Sequence, residues 1–248
     1  MKQYKDIFKE WHSKFPVLSK YTERTLYMRI NPLIIGLRLQ KDRFGGDDYL
    51  PVLEIIPLWE ENPKRFGKPL CWDNLQDMKR LDFTIIYSQH DYYFPEALAC
   101  VEIQFGKILK EVVFFRDLME FKNHLIRQFI TKHNQCDWIY VFQLQLGLAL
   151  YFNKRDLLGQ IELNIEREIK YWTPKYLHCG DELTIDEYRE QIYQPFKDRE
   201  KFMATIEMNS RRPKVAKLNV GTIVGIDDYH YETKQSWLDR LRSLFTKR

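Results

Sequence analysis

The chain lacks what marks the common special classes of protein. Four cysteines stand at 71, 100, 136 and 179, and no two form a Cys-x-x-Cys pair. A chain of 248 residues builds a core without disulfide staples, so these thiols are expected to be reduced and the setting cytoplasmic. Ten glycines and ten prolines exclude a collagen-like or linker-dominated chain. The longest apolar run, Trp138–Phe152, covers 15 residues and contains Gln143 and Gln145. A spanning helix needs about 20 apolar residues, so no membrane span is expected. The first eleven residues hold no uninterrupted apolar stretch, and no secretory leader is expected.

Catalytic signatures are also missing. No G-x-G-x-x-G, phosphate-binding loop, G-x-S-x-G, H-E-x-x-H or protein-kinase set occurs. None of Ser13, Ser19, Ser88, Ser210, Ser236 and Ser243 has the surroundings of a nucleophile. No cofactor is called for, and no period of a solenoid or propeller recurs.

What remains is a globular composition: 44% hydrophobic, 30% charged, 15% aromatic. That is too much apolar area for a disordered chain. Tyr and Trp suit wet interfaces as well as cores, because each joins an apolar body to a polar tip. Net charge is +4, unevenly spread. Residues 197–248 carry twelve basic and seven acidic side chains, +5, which leaves residues 1–196 at −1. Five charges can steer an acidic partner but are few for a duplex binder.

Periodicity predicts an α+β fold: a mixed, mainly antiparallel sheet with helices packed on it. Ile7, Phe8, Trp11 and Phe15 predict a helix over 3–15. Alternation predicts strands at 25–30, 33–39 and 49–56, joined as hairpins through the Phe44–Asp48 turn. A short helix is expected at 73–80, a strand at 83–87, a strand at 97–105 and a helix at 115–133. Period two over 138–152 points to a long strand, with a buried helix as the alternative. Helices follow at 156–172 and, behind the Thr184-x-x-Glu187 capping box, from 185. Pro195 interrupts this last helix before a second stretch to 208, and a strand covers 218–226. Residues 1–232 form one domain, with a lobe boundary conceivable near 135, and 233–248 an appended amphipathic helix.

Several constellations could carry function. Asn209–Lys217 holds Arg211, Arg212, Lys214 and Lys217 and no acid. A basic loop of this kind suits an acidic protein surface, while nucleic acid is disfavoured because no aromatics interleave the charges. Trp237, Leu238, Leu241, Leu244 and Phe245 make an amphipathic stripe that suits the domain's own core or a partner better than a membrane surface. Asp228, His230 and Glu232 would share one face if the strand from 218 ran through them, and such a set can hold Mn, Fe or Zn. Asp91 ahead of Glu102-Ile-Gln104 matches a pattern used by metal-dependent nucleases, in which carboxylates hold the ion. His133, Cys136, His178 and Cys179 could be pooled as zinc ligands, although adjacent His-Cys is poor geometry. The expectation with most behind it is a non-enzymatic protein-binding factor of immunity, antagonist, adaptor or chaperone type. Its contacts would be Arg211, Arg212, Lys214, Lys217, Trp237, Leu241 and Phe245. A metal-dependent hydrolase or nuclease is the alternative, and a nucleic-acid-binding protein a further one.

Overall fold

A computed structural model describes residues 3–41, 46–121, 135–170 and 184–231. Helix α1 (Tyr4–Lys14) buries Ile7, Phe8 and Trp11, the stripe read from the sequence. It leads into an antiparallel sheet of β1 (Ser19–Lys20), β2 (Thr25–Ile30), β3 (Leu33–Lys41), β4 (Asp48–Pro57) and β5 (Cys71–Asn74), in that spatial order. A short strand, β6 (Ile85–Ile86), pairs with the start of β4. The fold is α+β.

Cross-strand register sorts the two faces of the sheet. Leu26, Leu37 and Leu53 stand side by side, as do Met28, Ile35 and Ile55. Side chains two apart on a strand share a face, so Tyr49 lies with Leu53 and Ile55. Trp11 of α1 reaches Tyr49, which places α1 on this side. The opposite face carries Tyr27, Arg38 and Glu54, which bond to one another. Both faces are covered, and for that reason β3 is buried along most of its length.

After β6, a 3-10 turn (Tyr87–Gln89) opens directly into α2 (His90–Phe105). The predicted strand at 97–105 is thus helix. Ala97, Cys100, Val101 and Phe105 are buried at helical spacing, and Pro95 sits within the helix without ending it. The predicted helix at 73–80 is instead the end of β5 and a loop. There the Asp77 carboxylate accepts from the backbone N–H groups of Lys79 and Leu81, and this local bonding competes with helix formation. The expected strand at 83–87 shrinks to Ile85–Ile86.

A second, two-stranded parallel sheet joins β7 (Val112–Phe114) to β8 (Thr222–Val224). Helix α3 (Phe115–Met119) follows β7. The rest of the helix predicted to 133 lies outside the described residues. The predicted strand at 138–152 is helix α4 (Gln135–Tyr151). From Val141 to Leu150 every side chain but Gln143 is buried, so the sequence offered no polar face whose period could mark a helix. The two glutamines that suggested a wetter strand face end on carbonyls: Gln145 donates to Met119 at 2.9 Å and Gln143 to Gln191 at 2.8 Å.

Helix α5 (Arg155–Ile169) lines up Leu157, Ile161, Ile165 and Ile169 inward. Helix α6 (Ile185–Tyr193) starts on the predicted capping box. A 3-10 turn at Gln194–Phe196 carries Pro195, and α7 (Arg199–Ser210) completes the helical set. One hydrophobic cluster joins residues from Ile7 to Ile223. Among the described residues no helix is long and apolar enough to cross a membrane. The amphipathic segment 233–248 lies outside the described residues.

Candidate functional site

The basic loop grows out of the end of α7. Asn209 is fully buried there, and its amide is satisfied on every side. Its two N–H groups donate to the carbonyls of Leu58 at 2.8 Å and Glu60 at 2.9 Å. Its oxygen accepts from Arg212 Nε at 2.7 Å. The Ser210 carbonyl accepts from Arg29 Nη1 at 3.0 Å, which ties the helix end to β2. Val215 and Leu218 then plug the loop into the core.

Four cations result, in two roles. Arg212 is half-buried, and its guanidinium lies 4.1 Å from the Phe66 ring centroid. It also acts on Tyr21, where it offsets part of the burial that raises that phenol's pKa. Arg212 therefore positions the loop. Arg211, Lys214 and Lys217 point to solvent. Arg211 pairs with Glu207 one turn back on α7. The Lys214 ammonium sits 5.6 Å from the Tyr21 ring. Aromatics that the sequence did not place near the charges, Tyr21 and Phe66, thus meet them in the fold. Trp237, Leu241 and Phe245 lie outside the described residues.

The acidic candidates scatter. Asp91 and Glu102 lie on one helix eleven residues apart, about 16 Å along its axis. Glu102 pairs with Lys110 at 3.6 Å. Gln104 is taken by the backbone of Gln76, accepting at 3.0 Å and donating at 2.7 Å. This Asp91–Glu102–Gln104 set does not form a site. Strand β8 ends at Val224, Gly225 takes φ +68, and residues 227–228 turn. The period-two argument for Asp228, His230 and Glu232 fails with it, because it required the strand to continue. Asp228 and His230 are exposed, and Glu232 lies outside the described residues. His133, His178, Cys179 and the side chain of Cys136 are likewise outside them. Cys71 and Cys100 are buried free thiols.

A constellation that sequence reasoning missed joins α1, β4 and α2. His90 is fully buried at the start of α2. Its Nδ1 lies 2.7 Å from the Tyr49 hydroxyl and its Nε2 lies 2.8 Å from Glu10 Oε2. Trp11 Nε1 stands 3.1 Å from the same Tyr49 oxygen. An indole N–H only donates, so the phenol oxygen accepts from Trp11. An ionised carboxylate only accepts, so in a neutral ring Nε2 donates to Glu10 and Nδ1 is left to accept the phenol hydrogen. The direction of the whole chain follows from its two ends, an obligate donor and an obligate acceptor. Burial also drives the Tyr49 phenol's pKa well up, so it stays protonated. Asp91 brings a second carboxylate to this cluster, and one ligand atom from each of Glu10, His90 and Asp91 lies within 4.8 Å of the others.

A cleft of about 450 Å³ opens between the connection after β4, α4 and α6, lined among others by Trp59, Arg65, Lys68, Tyr140 and Gln191. Its glutamates are spent on cations: Glu60 on Arg65 at 3.6 Å, Glu61 on Lys201 at 2.6 Å, and Glu190 on Lys197. Its lining holds no serine, cysteine, histidine or aspartate. Among the described residues this lining offers no thiol, serine hydroxyl or imidazole, and its lysine and glutamates suit binding of a polar surface.

Comparison with protein-family models, with curated protein sequences and with solved structures finds no match for this chain. Functional inference therefore rests on the residues themselves.

Proposed function

We propose that this chain is a non-enzymatic protein-binding factor that presents its basic loop to an acidic partner. The observation that carries the reading is the anchoring of residues 209–218. Buried Asn209, stacked Arg212 and the plugs Val215 and Leu218 hold the loop in one shape, while Lys214 and Lys217 stay exposed. Binding then spends little free energy on ordering the loop, which is how preorganisation raises affinity. The charges steer association, and the neighbouring rings add contact area. An immunity, antagonist, adaptor or chaperone role fits this arrangement, and a cytoplasmic setting fits the free thiols.

The alternative of a hydrolase or nuclease finds less support. The two acid sets expected to serve it do not come together: Asp91 and Glu102 stand eleven residues apart on α2, and the strand that would align Asp228 with His230 ends at Val224. Direct nucleic-acid binding is disfavoured by the pairing of Arg211 and the inward stacking of Arg212.

The test is capture from native lysate by the wild-type chain and by a Lys214→Glu, Lys217→Glu double variant. A stoichiometric partner that the double variant loses, and that salt elutes, supports the reading. A partner held equally by both chains, or a captured species that is nucleic acid, overturns it. Persistent absence of any partner overturns it as well.

A further inference from the structure

We infer that Glu10, His90 and Asp91 bind a divalent transition-metal cation, of the Zn²⁺ or Mn²⁺ type, where α1 meets α2. The three side chains offer one imidazole nitrogen and two carboxylate oxygens, all within 4.8 Å of one another. Ligands on a tetrahedral cation at about 2.0–2.2 Å stand roughly 3.4 Å apart. Nε2 and Glu10 Oε2, at 2.8 Å, need to open only slightly. Asp91 lies at the surface, with one carboxylate oxygen already inside the same 4.8 Å set.

The hydrogen shared between Nε2 and Glu10 marks the place of the cation. An ion fits between those two atoms where a substrate could not. It would enter past the exposed Asp91 and the partly exposed Glu10, and water would complete its shell. The imidazole selects against Mg²⁺ and Ca²⁺, which prefer oxygen throughout. Two carboxylates outweigh the positive end of the α2 macrodipole.

The surroundings hold the histidine as a ligand must be held. His90 is fully buried, and the Tyr49 hydroxyl on Nδ1 fixes its ring from behind. When the cation takes Nε2, the ring's one N–H hydrogen moves to Nδ1, so the imidazole stays neutral. Tyr49 then turns from donor to acceptor, and its phenol hydrogen loses His90 as a partner. That reversal weakens the site, so an affinity below that of closed four-ligand zinc sites is expected. The ion would join α1 to α2.

The experiment titrates untagged full-length chain with Zn²⁺ alone, with Mn²⁺ alone and with Mg²⁺ alone in a calorimeter. We expect one Zn²⁺ or Mn²⁺ per chain, a raised melting temperature and no response to Mg²⁺. Glu10→Gln and Asp91→Asn should each weaken binding by about tenfold or more. Should either variant misfold by circular dichroism, the His90 imidazole ¹⁵N resonances of the wild type decide. Movement of Nε2 with Zn²⁺ supports the site, and bound Zn²⁺ with His90 unmoved overturns it. No saturable binding, or wild-type affinity in both folded variants, also overturns it.

Discussion

The Tyr27 hydroxyl donates to the Glu54 carboxylate across the one position of β3 that has no side chain. Gly36 lies between them in the register, paired with Tyr27 on one side and Glu54 on the other. A Cβ there would stand 1.9 Å from the Leu26 carbonyl oxygen and 2.7 Å from the Tyr27 ring. Gly36→Ala should therefore cost about 3–5 kcal/mol, because backbone and ring must both give way. Urea denaturation measures it. Tyr27→Phe keeps the ring and leaves Glu54 with Arg38 at 2.6 Å, so it should cost only about 1–2 kcal/mol. Equal losses for the two variants would contradict this account.

Asn209→Ala tests what holds the basic loop. It removes both donors to the Leu58 and Glu60 carbonyls and the acceptor of Arg212. Loss of about 2–3 kcal/mol is expected, since the orphaned carbonyls have little access to water. Hydrogen exchange over 209–218 should rise more than over β2 and β3. A uniform rise across the chain would show that the anchor is not local.

Alkaline titration should reveal the buried phenols. Burial raises Tyr27 and Tyr49 far above the ordinary phenol value, and Tyr87 and Tyr231 to about 12. The unfolded chain ionises these groups near 10. The folded state keeps their protons, so this contribution to stability is whole below pH 10 and is lost as the pH rises from there through the folded-state values. Absorbance at 295 nm should show part of the tyrosine ionising only together with loss of circular dichroism. Complete ionisation near pH 10 in a folded chain would contradict the burial.

The capping box at α6 predicts an acid effect. Backbone and side-chain hydrogen bonds from Thr184 lower the Glu187 pKa. A lowered carboxylate stabilises the fold above its unfolded value and loses that contribution as the pH falls through the folded one. Thr184→Ala should cost about 1 kcal/mol at neutral pH. The difference between variant and wild type should shrink in acid, and chemical denaturation at several pH values will show whether it does.

The sequence made local elements legible. Helix α1, the hairpins of β2 to β4, α5 and the capped start of α6 each carry their signal within a few turns of chain. Helices α2 and α4 do not, for different reasons. Pro95 looks like a boundary but stands at an exposed position inside α2. Helix α4 is apolar almost all round, so leucines alternating with glutamines imitate a strand. The basic loop was visible as composition, but its anchors Phe66 and Arg29 come from distant segments. The Glu10–His90 contact spans 80 positions. Only the meeting of α1 with α2 brings it about, and no local pattern announces it.

Residues 219–224 serve two sheets in succession. Arg29 of β2 exchanges backbone bonds with Asn219 and Gly221, at 2.8 and 2.9 Å, before Thr222–Val224 pair with β7. The Asn219 amide also reaches the carbonyls of Pro16 and Val17, at 3.2 and 3.0 Å. One border of the first-made sheet is thus closed by residues that follow Arg29 by about 190 positions. During synthesis that border stays open until residues 219–221 have left the ribosome, so a nascent chain stalled earlier would expose an unpaired strand to its neighbours.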